Sequence, residues 1–199
     1  MSNISFEDRV VIVTGAGNGL GKAYALELGN RGAKVVVNDL GGSVDGSGSA
    51  SSPADEVANE IIENGGEAVA NYDSVATKEG GESIVQSAID NFGTVDAVIN
   101  NAGILRDKSF ANMSEEELSL IIDVHLKGTF FVSQPAFKVM KEKNYGRIVN
   151  VASPSGLFGN FGQSNYGAAK MGIVGLTNVL AIEGAKYNIK VNVIAPTAY

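Results

Sequence analysis

Residues 10–21 read Val-Val-Ile-Val-Thr-Gly-Ala-Gly-Asn-Gly-Leu-Gly. The apolar, β-branched start predicts a buried strand over Val10–Thr14, and the residues from Gly19 predict a helix to Asn30. Glycines between a strand and a helix let the backbone approach a pyrophosphate, with the helix N-terminus supplying amides and a positive dipole end. Such a turn alone is weak evidence. It gains weight from Asp39, which is expected to end the next strand 18 residues after Gly21. A carboxylate there can accept hydrogen bonds from adenosine ribose hydroxyls and repel a 2′-phosphate. Position 18 is Asn and position 40 is Leu, so no basic side chain invites that phosphate. The expected cofactor is NAD rather than NADP.

Outward from this turn the chain alternates short apolar runs with longer amphipathic ones. Strands are expected over residues 34–39, 67–71, 95–100, 146–152 and 189–194. Helices are expected over residues 53–64, 77–92 and 164–187, with a long helical region from Ser114 to about Lys143. That region opens with a capping box, Ser114-x-x-Glu117, and contains Pro135, where a kink or break is expected. Strand–helix alternation with continuously apolar strands implies a parallel sheet covered on both faces. The fold class is therefore α/β, a doubly wound parallel sheet of Rossmann type. Residues 41–52, Gly-Gly-Ser-Val-Asp-Gly-Ser-Gly-Ser-Ala-Ser-Ser, interrupt the rhythm. A domain boundary there would split a βαβ unit, so the segment reads as a surface insertion near the cofactor site. The sequence shows no internal repeat.

Composition narrows the function. The 199 residues, 44% of them hydrophobic, suffice for one domain with a sizeable core. With 15 Lys plus Arg against 22 Asp plus Glu, the net charge is −7, which argues against sequence-independent binding to nucleic acid or anionic membrane. There is no cysteine, hence no disulfide, thiolate metal site or Cys nucleophile, and no metal site is expected. The first residues lack the pattern of a secretory signal, and no apolar run reaches membrane-spanning length, so a soluble intracellular protein is expected.

A second centre of chemistry lies at residues 153–170, Ser-Pro-Ser-Gly-Leu-Phe-Gly-Asn-Phe-Gly-Gln-Ser-Asn-Tyr-Gly-Ala-Ala-Lys, after the fifth predicted strand. Tyr166 and Lys170 are four residues apart and share a helix face. Ser153 stands at the carboxyl end of the strand. A phenol titrates near pH 10, and a fixed cation nearby is expected to lower that value and make Tyr166 a usable acid/base. Ser153 can hold the reacting oxygen by a hydrogen bond. Taken alone, Tyr-x-x-x-Lys would be an ordinary surface pair.

Thr14-Gly-x-x-x-Gly-x-Gly21, Asn100-Asn-Ala-Gly103, Ser153 and Tyr166-x-x-x-Lys170, in that order, resemble the short-chain dehydrogenase/reductase family over nearly the whole chain. The resemblance implies that Tyr166 is the catalytic acid/base and that Ser153 orients the substrate oxygen. Lys170 would hold the nicotinamide ribose and depress the tyrosine pKa. It further implies that Gly15, Asn18, Gly19, Leu20 and Gly21 hold the cofactor with Asp39. Asp73, Ser74 and Val75 would border the adenine, and Asn101 would lie against the cofactor. Within the family, Val37–Gly42, Ala70–Val75, Asn101–Asp107, Val124–Gly128 and Phe158–Gln163 are similar to the dehydrogenase domains of peroxisomal multifunctional enzymes type 2 of fatty-acid β-oxidation, their fungal form especially. That implies oxidation of (3R)-3-hydroxyacyl-CoA with NAD in the peroxisome. In fungal relatives two such domains precede a hydratase, so the partner would be a second dehydrogenase domain or a second copy of the chain. The alternatives are a dehydrogenase for a steroid or other secondary alcohol and a non-catalytic NAD-binding module, which would need neither Tyr166 nor Lys170.

Two departures stand out. His125, the single histidine, occupies the position where the broad family carries Asn in the long helix, and reads as a packing residue. The Pro-Gly expected after the sixth strand is Pro196-Thr197, and the chain stops at Tyr199, so residues 1–199 are expected to form one dehydrogenase domain lacking its last strand and the loops that wall the substrate. The seven apolar residues Met171, Ile173, Val174, Leu176, Val179, Leu180 and Ile182 exceed one buried stripe and point to a homodimer through this helix.

Overall fold

The computed structural model describes residues 4–42 and 52–197. Six strands form one parallel sheet: β1 (Val10–Thr14), β2 (Lys34–Asn38), β3 (Glu67–Asn71), β4 (Ala97–Asn100), β5 (Gly146–Val151) and β6 (Ile189–Ile194), in the order β3-β2-β1-β4-β5-β6. β1 has every residue buried because alternate side chains serve opposite layers. Val10 and Ile12 pack with Ile84, Val132, Met140 and Ile148 on one face. Val11 and Val13 pack with Ala25, Val57 and Ile61 on the other. Helices α1 (Gly19–Asn30) and α2 (Ser52–Glu63) cover the second face, and α3 (Lys78–Phe92) the first. The expected doubly wound fold is the observed one. Most of the inserted segment, residues 43–51, lies outside the described residues.

The long helical region begins as anticipated and then departs from expectation. Ser114 accepts the Glu117 amide (3.1 Å), and the Glu117 carboxylate accepts the Ser114 amide (2.9 Å), closing the capping box of α4 (Glu115–Ile121). No break occurs at Pro135, which sits inside α5 (Gly128–Glu142). Instead a π turn spans Ile122–Lys127 and carries His125. Pro135 removes only the amide that would bond the Phe131 carbonyl. At that carbonyl α3 passes so close that a Cβ on Gly81 would lie 2.5 Å away, so tertiary packing holds the helix across the proline.

After β5 come a short helix α6 (Pro154–Phe158) and the long helix α7 (Ser164–Gly184). A buried polar chain ties these layers together. Asn100 Nδ2 donates to Ser133 Oγ (2.9 Å) and Asn150 Oδ1 (2.8 Å), and Asn150 Nδ2 donates to Thr177 Oγ1 (2.8 Å). It runs from α5 through β4 and β5 to α7. The carboxyl ends of β4 and β5, which present Asn101 and Ser153, are thereby fixed against both helices.

Candidate active site

The chain crosses from the β3 edge to β4 on the other side of β1, so the sheet's switch point lies between β1 and β4. A crevice opens there, outside the carboxyl ends of the strands. Its first part is a cavity of about 390 Å³ lined by the glycine turn, Asp39, Asp73–Ala76 and Asn101–Ile104. A second, about 280 Å³, shares Asn101, Gly103 and Ile104 with it and reaches Leu20, His125, Ser153, Tyr166 and Lys170. Apart from Gly21, the residues expected to bind cofactor or substrate thus border these two adjoining cavities.

The glycine turn is held from three sides. Asn101 Nδ2 donates to the carbonyls of Thr14 (3.1 Å) and Gly15 (3.0 Å), and Thr14 Oγ1 accepts the amides of Asn101 and Ala102 (both 3.1 Å). β2 ends at Asn38, one residue before Asp39. The Asp39 carboxylate accepts the Gly17 amide (2.7 Å) through Oδ2 and the Gly41 amide (2.7 Å) through Oδ1. Gly21 has no alternative at its position: a Cβ there would lie 2.0 Å from the Gly15 carbonyl oxygen. Gly19, with φ +54°, opens α1 and faces no atom within 4 Å, while the Asn18 side chain makes no capping bond. Among the described residues the Asn18 side chain leaves the start of α1 uncapped and the space beside Gly19 is open, which fits a dinucleotide pyrophosphate. Asp73 is fixed by the Asn71 and Ser83 side chains (2.9 and 2.7 Å), and Asn38 Nδ2 holds its carbonyl (2.9 Å).

At the other end of the groove Ser153 caps α6, accepting the Ser155 amide (3.2 Å). Tyr166, in the first turn of α7, is half-buried. Its ring centroid lies 5.5 Å from Lys170 Nζ and 5.1 Å from the His125 ring, which meets it edge to face. Lys170 is buried and donates to the Val151 carbonyl (2.6 Å), and burial depresses its pKa from 10.5 to about 8. The expected depression of the Tyr166 pKa is not what the chain alone produces. Burial pushes the phenol up, a hydrogen bond with Ser153 opposes it, and the Asp107 charge adds to the rise. Desolvation of the phenolate outweighs the Ser153 hydrogen bond here.

His125 packs as expected, and it also bonds the backbone beside the candidate site. It is buried, and burial together with the Lys170 charge holds its pKa at about 3, so the ring is neutral. Nε2 lies 3.1 Å from the Ile104 amide and 2.8 Å from its carbonyl. Gly103 makes this possible, since a Cβ there would sit 2.5 Å from the imidazole. Thr14 and His125 border the candidate site although the motifs gave neither of them a role there. Thr14 stands within the quoted glycine motif, and His125 is a lone histidine beside an Asn-Ala-Gly turn.

The model of the short chain dehydrogenase family matches residues 9–199. The chain belongs to the short-chain dehydrogenase family. Among other members it is 62% identical over 196 residues to the peroxisomal hydratase-dehydrogenase-epimerase of Saccharomyces cerevisiae, covering 98% of this chain and 22% of that protein. It is 58% identical over 197 residues to the mouse peroxisomal multifunctional enzyme type 2, covering 99% of this chain and 26% of that protein. The structure of the full-length Drosophila melanogaster peroxisomal multifunctional enzyme type 2 superposes with a TM-score of 0.82 at 47% identity, covering 98% of this chain and 32% of that one. The chain thus spans about a quarter or less of the length of these curated relatives. As a short-chain dehydrogenase it is an oxidoreductase. No helix among the described residues is long and apolar enough to cross a membrane.

Proposed function

We propose that this domain oxidises (3R)-3-hydroxyacyl-CoA to 3-ketoacyl-CoA with NAD, in peroxisomal fatty-acid β-oxidation. The observation that carries the chemistry is the meeting of Ser153, Tyr166 and Lys170 at the inner end of the cofactor groove. The substrate class rests on the high identity, over nearly the whole chain, to relatives named as peroxisomal dehydrogenase and multifunctional enzymes. Gly15, Asn18, Gly19, Leu20 and Gly21 would hold the pyrophosphate, Asp39 the adenosine ribose, Asp73–Val75 the adenine edge, and Asn101 and Lys170 the nicotinamide half. When bound, oxidised NAD supplies the hydride acceptor for C3 and a positive charge that opposes desolvation of the phenolate. Ser153 Oγ hydrogen-bonds the 3-hydroxyl and orients it toward Tyr166. Tyr166 Oη takes the hydroxyl proton, and the Lys170 ammonium near the ring stabilises the phenolate that must exist beforehand. NAD rather than NADP follows from Asp39 and from the absence of a basic side chain at positions 18 and 40.

The test mixes the full-length protein with NAD and either 3R- or 3S-hydroxyacyl-CoA and follows the absorbance of the reduced nicotinamide. Turnover of the 3R isomer, at least tenfold above the 3S isomer and above steroid alcohols, is expected. Equal or greater turnover of the 3S isomer, or of a secondary alcohol without coenzyme A, would overturn the substrate assignment.

A further inference from the structure

Tyr166 sits on the part of α7 least able to hold it. The first four amides of a helix have no intrahelical partner, and the N-cap residue Gln163 supplies no side-chain bond. Yet a displacement of about 1 Å at a reacting group costs on the order of a hundredfold in rate. The residue beside it addresses this. Asn165 is 0% exposed, although it precedes the catalytic tyrosine on an otherwise open turn. Its Oδ1 accepts the Tyr166 amide at 2.7 Å, and its Nδ2 donates to the carbonyls of Arg106 and Glu117, both at 3.0 Å. Those partners lie on the segment that follows β4 and on α4.

Only a carboxamide meets this demand, with one acceptor for an amide and two donors for two carbonyls. The opposite amide orientation would set Oδ1 against two carbonyl oxygens, so the assignment is fixed by its partners. A carboxylate would face the same repulsion in a buried site, and a hydroxyl is too short to reach both carbonyls while capping the amide. Around this residue the contacts close a loop. Glu117 belongs to α4, which runs into the π turn carrying His125. His125 bonds Ile104 and presents its ring to Tyr166. Arg106 lies two residues beyond Ile104, and Asp107 and Lys108 then pair with Gln163 (2.9 Å) and Gly162 (2.8 Å). The Gln163–Asp107 bond is exposed. The Asn165 bonds are the shielded ones, and water cannot replace them without opening the turn.

We infer that Asn165 is a positioning residue for the Tyr166 hydroxyl, locking the first turn of α7 to the segment after β4 and to α4. The inference rests on the reading of Tyr166 as the acid/base. Its loss would let the tyrosine wander and admit water around the ring. Because burial is the largest influence raising the phenol, better hydration moves its ionisation downward.

The experiment compares Asn165→Ala and Asn165→Ser with the parent and with Tyr166→Phe, all in the full-length protein. It reads kcat, KM, NAD affinity by fluorescence titration, and the pH midpoint of kcat. Expected for Asn165→Ala is a thirty- to hundredfold fall in kcat, NAD affinity within threefold of the parent, and a midpoint displaced to lower pH. Asn165→Ser, which keeps an acceptor for the Tyr166 amide, should fall between the two, and it decides the matter if the alanine variant does not fold. A kcat within threefold of the parent in the serine and alanine variants would overturn the inference. So would a fall in kcat matched by an equal loss of NAD affinity with the pH midpoint unmoved, since that is the pattern of a general loosening. An active Tyr166→Phe variant would instead overturn the reading beneath it, whereas an inactive one beside unaffected Asn165 variants would remove this inference alone.

Discussion

Replacing Asp39 by Ala should change coenzyme preference more than it changes anything else, and the structure divides the effect into two parts. The carboxylate already accepts two backbone amides at 2.7 Å, from Gly17 in the glycine turn and from Gly41. Cutting those bonds loosens the turn for any dinucleotide. In this partly exposed setting water replaces them, and the cost is about 1 kcal/mol per bond. That cost is common to NAD and NADP and cancels in their ratio. What does not cancel is the charge. At about 5 Å and an effective dielectric near 20, a carboxylate and a unit phosphate charge repel by about 3 kcal/mol, and salt reduces this to about 2. On the NAD side, ribose hydrogen bonds to a charged acceptor contribute about 1.5–3 kcal/mol. The two contributions together, about 3.5–5 kcal/mol, shift the NADP/NAD ratio of kcat/KM by a factor on the order of 10³.

The assay is kcat/KM for both coenzymes, measured for the parent, Asp39→Ala and Asp39→Asn at low and high salt. Asp39→Asn removes the charge but keeps one acceptor, so it should recover part of the turn's rigidity and none of the discrimination against phosphate. The charge-dependent part of the shift should shrink as salt rises. A ratio changed by less than threefold in Asp39→Ala would refute the role of this carboxylate in coenzyme choice, and a shift insensitive to salt would refute its electrostatic origin.

Three further outcomes follow from the buried groups and the uncovered helix faces. Lys170 has its pKa depressed by burial from 10.5 to about 8, so the unfolded chain binds the extra proton between those values and stability rises with pH across that window. Below pH 8 the penalty is fully present at about 3 kcal/mol; Lys170→Met removes it but orphans the Val151 carbonyl, leaving denaturant stability at pH 7 up by about 1–2 kcal/mol with turnover lost. A destabilised variant at pH 7 would refute the direction. His125, held at about 3 against an ordinary 6.5, contributes stability that is present above pH 6.5 and is lost as pH falls toward 3. His125→Asn should therefore flatten the acid limb of an unfolding curve while lowering kcat by less than about a hundredfold, or 2.7 kcal/mol in barrier; an unchanged acid limb would contradict it. On α7, Met171, Val179 and Ile182 are 50, 52 and 78% exposed, with Leu118 and Phe130 bare on the neighbouring α4 and α5. We predict a homodimer through these helices, and light scattering should show Ile182→Glu shifting it to monomer. A monodisperse parent monomer would sink the claim.

How far the sequence disclosed all this depends on where the deciding partners lie along the chain. The strands were legible because a run such as Val35-Val-Val37, buried on both faces, advertises its environment in its own composition. The ends of α3 and α4 were legible because their caps are local, with Thr77 accepting the Gly80 amide and Ser114 paired with Glu117 three residues on. Pro135 misled because the local rule prices a missing amide, whereas the helix is held across it by α3 passing at Gly81. The π turn had no local mark beyond His125 itself, since the bond that accompanies it reaches back 21 residues to Ile104. The same distinction separates the proposed catalytic groups from their setting. The four-residue spacing put Lys170 beside Tyr166, yet burial, which spacing does not encode, sets the sign of the phenol's shift. Asn165 is the extreme case. Within the Asn-Tyr-Gly-Ala-Ala-Lys run it reads as one polar residue beside the motif, and its partners are 59 and 48 positions away. A reactive group must be of a recognisable type, whereas the residue that aims it need only reach the carbonyls the fold brings past. Identity therefore exposes the first and conceals the second.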